Sequence, residues 1–190
     1  MNQLSVNEIL EKVTLKYANS KRLTHILGVA RLAKELASKF NLDEEKAYIA
    51  GLLHDYYKYE PISEMLELIN DEEITLKCKE APQIYHAYAS SVAASNFFNI
   101  SDEEILNAIK YHVYGRVDMT LFEKILVISD FAEDSREYAR CKEVRSILDE
   151  GNFDLAMYLC IKYTIEAVLD KGDKPLDEQY EILKQLEERL

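Results

Sequence analysis

Each of the chain's four histidines, His25, His54, His86 and His112, falls on the apolar side of a segment with helical spacing. That placement constrains the fold strongly, because a scaffold that turns every imidazole inward must bring several helices together around them. Over residues 20–40, Leu23, Ile26, Leu27, Ala30, Ala33 and Ala37 form one stripe, and His25, Val29, Leu32 and Leu36 run beside it at i, i+4, i+7 and i+11. His54 shares a face with Ala47, Ala50 and Gly51. Gly51 lies one turn before both His54 and Asp55, which leaves room for a neighbouring helix or an ion to approach. His86 is followed on its face by Ala89, Ser90, Ala93 and Phe97, and His112 ends a stripe of Ile105, Ala108 and Ile109. Asp130 continues Leu126 and Val127, so a carboxylate stands where a buried apolar residue is expected.

With five glycines and three prolines in 190 residues, the chain has few breakers, and it reads as all-α. The spacing predicts helices over 20–40, 43–59, 61–70, 83–98, 153–170 and 177–189. A long helix from Thr120 to the late 140s, with a break near Asp134, is also expected. Ser5 with Glu8, Ser101 with Glu104 and Thr120 with Glu123 each fit the capping box that opens a helix. No repeat, low-complexity tract or linker divides the chain. Residues 1–190 are therefore read as one domain, with a core of about 20–150 and a C-terminal helical extension of about 151–190.

A formal charge of -12 excludes a nucleic-acid backbone as an expected partner, since such binding needs Lys and Arg to neutralise phosphates. A small anion remains compatible through a local metal site, whose charge outweighs the distant average. Cys78, Cys141 and Cys160 are odd in number and too far apart for a CxxC ligand set, so they read as free thiols in a reducing, cytoplasmic setting. No basic segment followed by an apolar stretch opens the chain, and no apolar run approaches a membrane span.

One inward histidine is usually a hydrogen-bonded core residue, and Asp130 alone could pair with Arg136 or Arg140. Four inward histidines, one directly before an aspartate, favour a shared nitrogen and oxygen cage for one or two divalent metals. Lys58, one turn beyond His54, could meet a phosphate oxygen as a point charge or lie as a solvated surface lysine. Tyrosines in Tyr56-Tyr57-Lys58-Tyr59 and near Tyr85 and Tyr88 could stack on a base, although thirteen tyrosines make packing the role of most.

The segments Arg22-Leu-Thr-His25, His54-Asp55-Tyr-Tyr-Lys58 and Ser129-Asp130-Phe-Ala-Glu-Asp-Ser-Arg136, with His86 and His112 between them, resemble the HD superfamily of metal-dependent phosphohydrolases. Within it they are similar to the YqeK-type branch, which splits diadenosine tetraphosphate symmetrically. The resemblance implies a helical bundle with the metal site between core helices. It implies one metal held by His25, His54, Asp55 and Asp130, and a second by His86 and His112, with Asp55 bridging. Iron is the metal it implies, and manganese or zinc also suits these ligands. Such a pair activates a water to hydroxide for attack on phosphorus.

By the same resemblance Asp55, His86 and His112 stand closest to the cleaved phosphate. Substrate contacts are expected from His25, Asp55, Lys58, His86, His112 and Arg136, the last matching the branch's DxxExxR arginine. That arginine could clamp phosphate through two parallel hydrogen bonds or remain a surface charge. The Gly115-Arg116 turn resembles a His-x-x-Gly element. A nucleotide partner is implied, and a homodimer is compatible with the branch.

Two departures stand out. The branch often has IEPxR where this chain has Ala132-Glu133-Asp134-Ser135-Arg136, so a turn-stiffening proline is absent. The C-terminal Pro-Asp-Thr element is scarcely kept in Lys174-Pro175-Leu176-Asp177. The expectation is symmetric cleavage to two ADP. An HD-type nucleotidase or phosphodiesterase on another nucleotide is the alternative, followed by a catalytically silent nucleotide-binding module.

Overall fold

A computed structural model describes residues 3–190. It contains eleven α-helices and, among the described residues, no strand. In chain order they are α1 (Val6–Lys16), α2 (Lys21–Lys39), α3 (Glu44–Leu53), α4 (Ile62–Ile69), α5 (Glu72–Glu80), α6 (Tyr85–Phe98), α7 (Glu103–Tyr111), α8 (Leu121–Ala132), α9 (Ala139–Asp149), α10 (Phe153–Leu169) and α11 (Asp177–Glu187). The chain is all-α, as its spacing predicts.

The helix ends follow local chemistry. Ser5 and Glu8 satisfy each other's backbone amides at the start of α1, and Thr120 and Glu123 do the same for α8. The predicted box at Ser101 does not form. Asp102 takes the cap of α7 instead, its carboxylate accepting from Glu104 N at 2.9 Å, a stronger acceptor one residue later. Asn41, Asn70 and Asn99 close α2, α4 and α6 with φ of 56°, 45° and 55°, a left-handed turn that asparagine tolerates better than most residues.

Two further expectations are corrected. The helix read over 43–59 stops at Leu53, and residues 54–59 form a tight series of turns. Long-range bonds hold those turns: Tyr17 Oη donates to the carbonyls of Asp55 and Tyr56 at 2.9 and 3.0 Å, and Tyr57 N donates to Ser90 Oγ at 3.0 Å. The break expected near Asp134 is present and divides the segment from Thr120 into α8 and α9. Between them Arg145 donates to the carbonyls of Ala132, Glu133 and Arg136 at 2.8–3.0 Å, satisfying groups that a continuous helix would have paired internally. Helix α5 was not anticipated; Asp71 caps it through Ile74 N.

The main core gathers the apolar faces of α1, α2, α3, α7 and α8. A second cluster joins Met65 and Ile69 of α4, Cys78 of α5 and Tyr85, Tyr88 and Ala89 of α6, so those two tyrosines pack rather than face outward. Helix α10 lies on α8 and α9 and sends Met157, Cys160 and Ile161 into the main core. All three cysteines are buried and free. Among the described residues no helix is long and apolar enough to cross a membrane.

Helices α2 and α3 pack extensively, and Gly51 is the reason they can approach so closely. A Cβ on Gly51 would stand 2.4 Å from Ala30 Cα and 2.8 Å from Ala30 N, so the space beside it is filled by helix α2. This contact sets where His25 and His54 meet. Gly51→Ala should cost about 3 kcal/mol, the upper range for overpacking where only backbone can yield. Urea unfolding should show this as a lower midpoint with an unchanged slope.

Candidate metal centre

Five helices deliver six side chains to one place. His25 lies in the second turn of α2, His54 caps the end of α3, and Asp55 follows in the first turn beyond it. His86 is in the first turn of α6, His112 caps the end of α7, and Asp130 lies near the end of α8. The imidazoles form a chain, with ring centroids 5.3 Å apart for His25 and His54, 5.0 Å for His54 and His112, and 5.2 Å for His112 and His86. All four histidines and Asp55 are buried, and Asp130 is half-buried.

The hydrogen bonds fix which ring nitrogens carry protons. His54 Nδ1 lies 2.6 Å from the Gly51 carbonyl and His112 Nδ1 lies 2.8 Å from the Ile109 carbonyl. A carbonyl only accepts, so each Nδ1 bears a hydrogen and each ring turns its Nε2 toward the cluster. His25 Nδ1 is likewise engaged with Glu133 Oε1 at 3.0 Å. The ring nitrogens then crowd one another in two pairs. His25 Nε2 and His54 Nε2 are 3.3 Å apart, as are His86 Nε2 and His112 Nε2. Lone pairs at that range repel unless a proton or a cation lies between them.

Asp55 stands between the two imidazole pairs and turns one oxygen toward each. Its Oδ2 lies 3.5 Å from His54 Nε2 and 3.7 Å from His25 Nε2, and its Oδ1 lies 3.1 Å from His86 Nε2 and 3.7 Å from His112 Nε2. Oδ1 is fully buried and accepts no well-formed hydrogen bond despite these neighbours. A buried carboxylate oxygen left without a donor is costly, and a cation is one of the few groups that satisfies it. Asp130 Oδ1 lies 3.1 Å from His25 Nε2 and 3.8 Å from His54 Nε2.

Two groups of donors therefore meet the first requirement of a metal site. The ligand atoms of His25, His54 and Asp130 lie within 4.8 Å of one another, and so do those of His54, Asp55 and His112. The donors are imidazole nitrogen and carboxylate oxygen with no thiolate, a set suited to iron, manganese or zinc.

Burial and neighbouring charge set the protonation of the cluster. Burial, reinforced by His54, pushes the His112 imidazole down to about 3, so the ring is neutral near pH 7. Burial also lowers His86, against the opposing pull of Asp55. For His25 burial works the same way, but hydrogen bonds to Asp130 and Glu133 outweigh it and the imidazole is raised. Burial disfavours charge on Asp55 and Asp130, yet His54 beside the first and Arg136 beside the second hold both carboxyls well below the usual range.

The cationic side chains sit among these acids. Arg136 Nη2 donates to Asp130 Oδ1 at 2.6 Å, and this is the Asp130 partner, whereas Arg140 pairs with Glu166 at 2.9 Å. Lys58 is half-buried rather than solvated, with its Nζ 3.0 Å from His86 Nε2 and 3.8 Å from Asp55 Oδ1. The Gly115-Arg116 turn faces elsewhere, and Arg116 pairs with the buried Glu123 at 3.0 Å.

Two residues of the site were given no role from sequence. Arg22 pairs with Asp55 Oδ2, and Glu133 orients His25. Each lies three positions from a residue that was singled out, one helical turn away, and that spacing was the available signal. Glu133 is itself fastened: Ser135 donates to it from its backbone N at 2.7 Å and from Oγ at 2.6 Å. Those bonds, with Arg145 on the carbonyls, stiffen a turn that has no proline. Gly28 gives Glu133 its room, since a Cβ there would lie 2.4 Å from Glu133 Oε2.

Comparison with known proteins agrees with this arrangement. Residues 22–148 match the model of the HD domain. The chain is 36% identical over 152 residues to the symmetrical bis(5'-nucleosyl)-tetraphosphatase of Bacillus subtilis, covering 80% of this chain and 81% of that one. It is 32% identical over 153 residues to the enzyme of the same name from Staphylococcus aureus, with 80% and 79% covered. A crystal structure described as a predicted HD superfamily hydrolase involved in NAD metabolism, from Clostridium acetobutylicum, superposes with a TM-score of 0.87 at 32% identity over the whole of both chains.

Glu133→Ala removes the acceptor that fixes the His25 tautomer while leaving every direct donor in place. Affinity for manganous ion, measured by calorimetric titration, should fall about tenfold or more, the usual cost of losing such a support. Glu133→Gln, which keeps an acceptor oxygen, should lose less.

Proposed function

The chain belongs to the HD-domain family, and from that premise we propose that it is a metal-dependent hydrolase that splits diadenosine tetraphosphate, or a related dinucleoside tetraphosphate, symmetrically into two ADP. The observation that carries the reading is the Asp55 carboxylate, buried between two imidazole pairs with one oxygen toward each. His25, His54, Asp55 and Asp130 would hold one divalent metal, and Asp55, His86 and His112 the second. Iron is the proposed occupant, with manganese and zinc suited to the same donors. Bound there, the pair supplies Lewis-acid charge for the phosphoryl oxygens and lowers the pKa of water.

The chain's own residues do the rest. Water adds to a phosphorus next to the central bridging oxygen, the bond from that phosphorus to the bridge breaks with its electron pair on the leaving oxygen, and both water protons are released as the two new terminal phosphates ionise. Cutting at the centre leaves two identical products. Lys58, held beside His86 and Asp55, is placed to meet a phosphate oxygen as a compact charge. Arg22 and Arg136 each keep N–H donors that their carboxylate partners leave unused, and both line the cavity that opens onto His25. The carbonyl tethers on His54 and His112 hold those rings in one tautomer, so no reorganisation is needed when the site is engaged. The unit proposed for this work is the whole chain, with residues 151–190 as a helical extension that buttresses α8 and α9 through α10.

Metal-loaded protein incubated with diadenosine tetraphosphate should yield ADP alone by anion-exchange chromatography. ATP with AMP would contradict symmetric cleavage, and preferential hydrolysis of a mononucleotide in a parallel panel would replace the substrate. Asp55→Asn should lower kcat by at least about a hundredfold, since it removes the acid common to both halves of the site.

A further inference from the structure

A cavity of about 330 Å³ opens onto His25 and is lined by Lys21, Arg22, Arg136, Tyr59 and Tyr138 among others. Its volume is at the lower end of what small-molecule sites enclose. Its cations suit a phosphate chain, but they do not account for the two aromatic rings. Tyr59, Tyr138 and Tyr180 are the exposed tyrosines, at 65%, 74% and 46%, and two of the three line this one cavity. The rest are buried or half-buried against the helices.

Each ring is tied to the cluster through an arginine. The Arg22 guanidinium lies 5.3 Å from the centroid of the Tyr59 ring and pairs with Asp55, so one side chain links the ring to the acid. The Tyr59 hydroxyl accepts from Arg22 at 3.4 Å and its ring meets Tyr17 edge-on, which orients it. Tyr138 stands two residues after Arg136, which pairs with Asp130, and caps the start of α9 through its backbone. Its side chain has no hydrogen-bond or ring partner among the described residues. A large ring held in water beside a cationic cavity presents a free π-face.

We infer that Tyr59 and Tyr138 are the base-binding residues of this site, stacking on the purine rings of a nucleotide whose phosphates enter the cavity between Arg22 and Arg136. The inference rests on the proposed hydrolase reading, and it adds the specificity that the cluster cannot supply, because metal and guanidinium groups recognise phosphate whatever it is attached to. Stacking on tyrosine tolerates any base, so discrimination is between nucleotides and bare phosphates rather than between adenine and guanine.

The test is calorimetric titration of manganese-loaded protein with ADP and, separately, with pyrophosphate, which shares the phosphates and lacks the nucleoside. Wild-type protein should bind ADP more tightly. Tyr59→Ala and Tyr138→Ala should each weaken ADP about tenfold while leaving pyrophosphate affinity as it was, and Tyr59→Phe and Tyr138→Phe should keep ADP affinity. Equal affinity of wild-type protein for the two ligands, undiminished ADP binding by the alanine variants, or a matching loss for pyrophosphate would each overturn the inference. Failure of the reaction reading is seen separately: it shows as no ADP formed from diadenosine tetraphosphate by wild-type protein, whatever the titrations give.

Discussion

Repulsion among buried ligand atoms is the constraint on which the rest of the structure depends. Imidazole nitrogens face each other at 3.3 Å in two places, and a buried carboxylate oxygen of Asp55 stands beside them without a well-formed donor. An apolar bundle gains nothing from such an arrangement, and replacing these groups by hydrocarbon would pack as well or better. The surrounding helices therefore hold a local opposition of charge and lone pairs in place. The stability for that comes from the apolar faces of α2, α3, α7 and α8, which close around the cluster.

The way the cluster is supported explains its precision. Three rings are fixed through Nδ1, two by carbonyls of their own helices and one by Glu133. Helix ends matter here, since His54 and His112 both cap helices whose final carbonyls lack amide partners in the helix, so the ring donor meets an acceptor the backbone already offers. Glu133 needs more, and gets it from Ser135, Arg145 and the space left by Gly28. Arg22 and Arg136 balance the acids from the cavity side. Acid, imidazole and guanidinium thus form concentric layers, with the tyrosines outermost.

Much of this was legible in the sequence, for a physical reason. An inward histidine betrays itself by the alanines and glycine spaced around it, and the helical repeat states its direction without any tertiary information. His25, His54, His86, His112 and Asp130 all emerged that way, as did the all-α architecture. What escaped depends on distant partners. Nothing between Leu53 and Tyr59 breaks a helix locally; the turns there are held by Tyr17 and Ser90, which lie more than thirty residues away. The division of α8 from α9 was legible near Asp134, while the contact that holds it, Arg145 reaching back to three carbonyls, was not. At Ser101 the error was between neighbours, where a carboxylate at Asp102 outcompeted a hydroxyl for the same amides. Arg22 was passed over because its partner Asp55 lies on another helix end, 33 positions on.

Two cations are proposed to resolve the opposition at the centre. Metal content by inductively coupled plasma mass spectrometry, on protein purified without oxygen, tests that directly. Two equivalents of transition metal per chain is the predicted result. One equivalent or none, in protein that remains folded after incubation with excess ferrous or manganous ion, would contradict it.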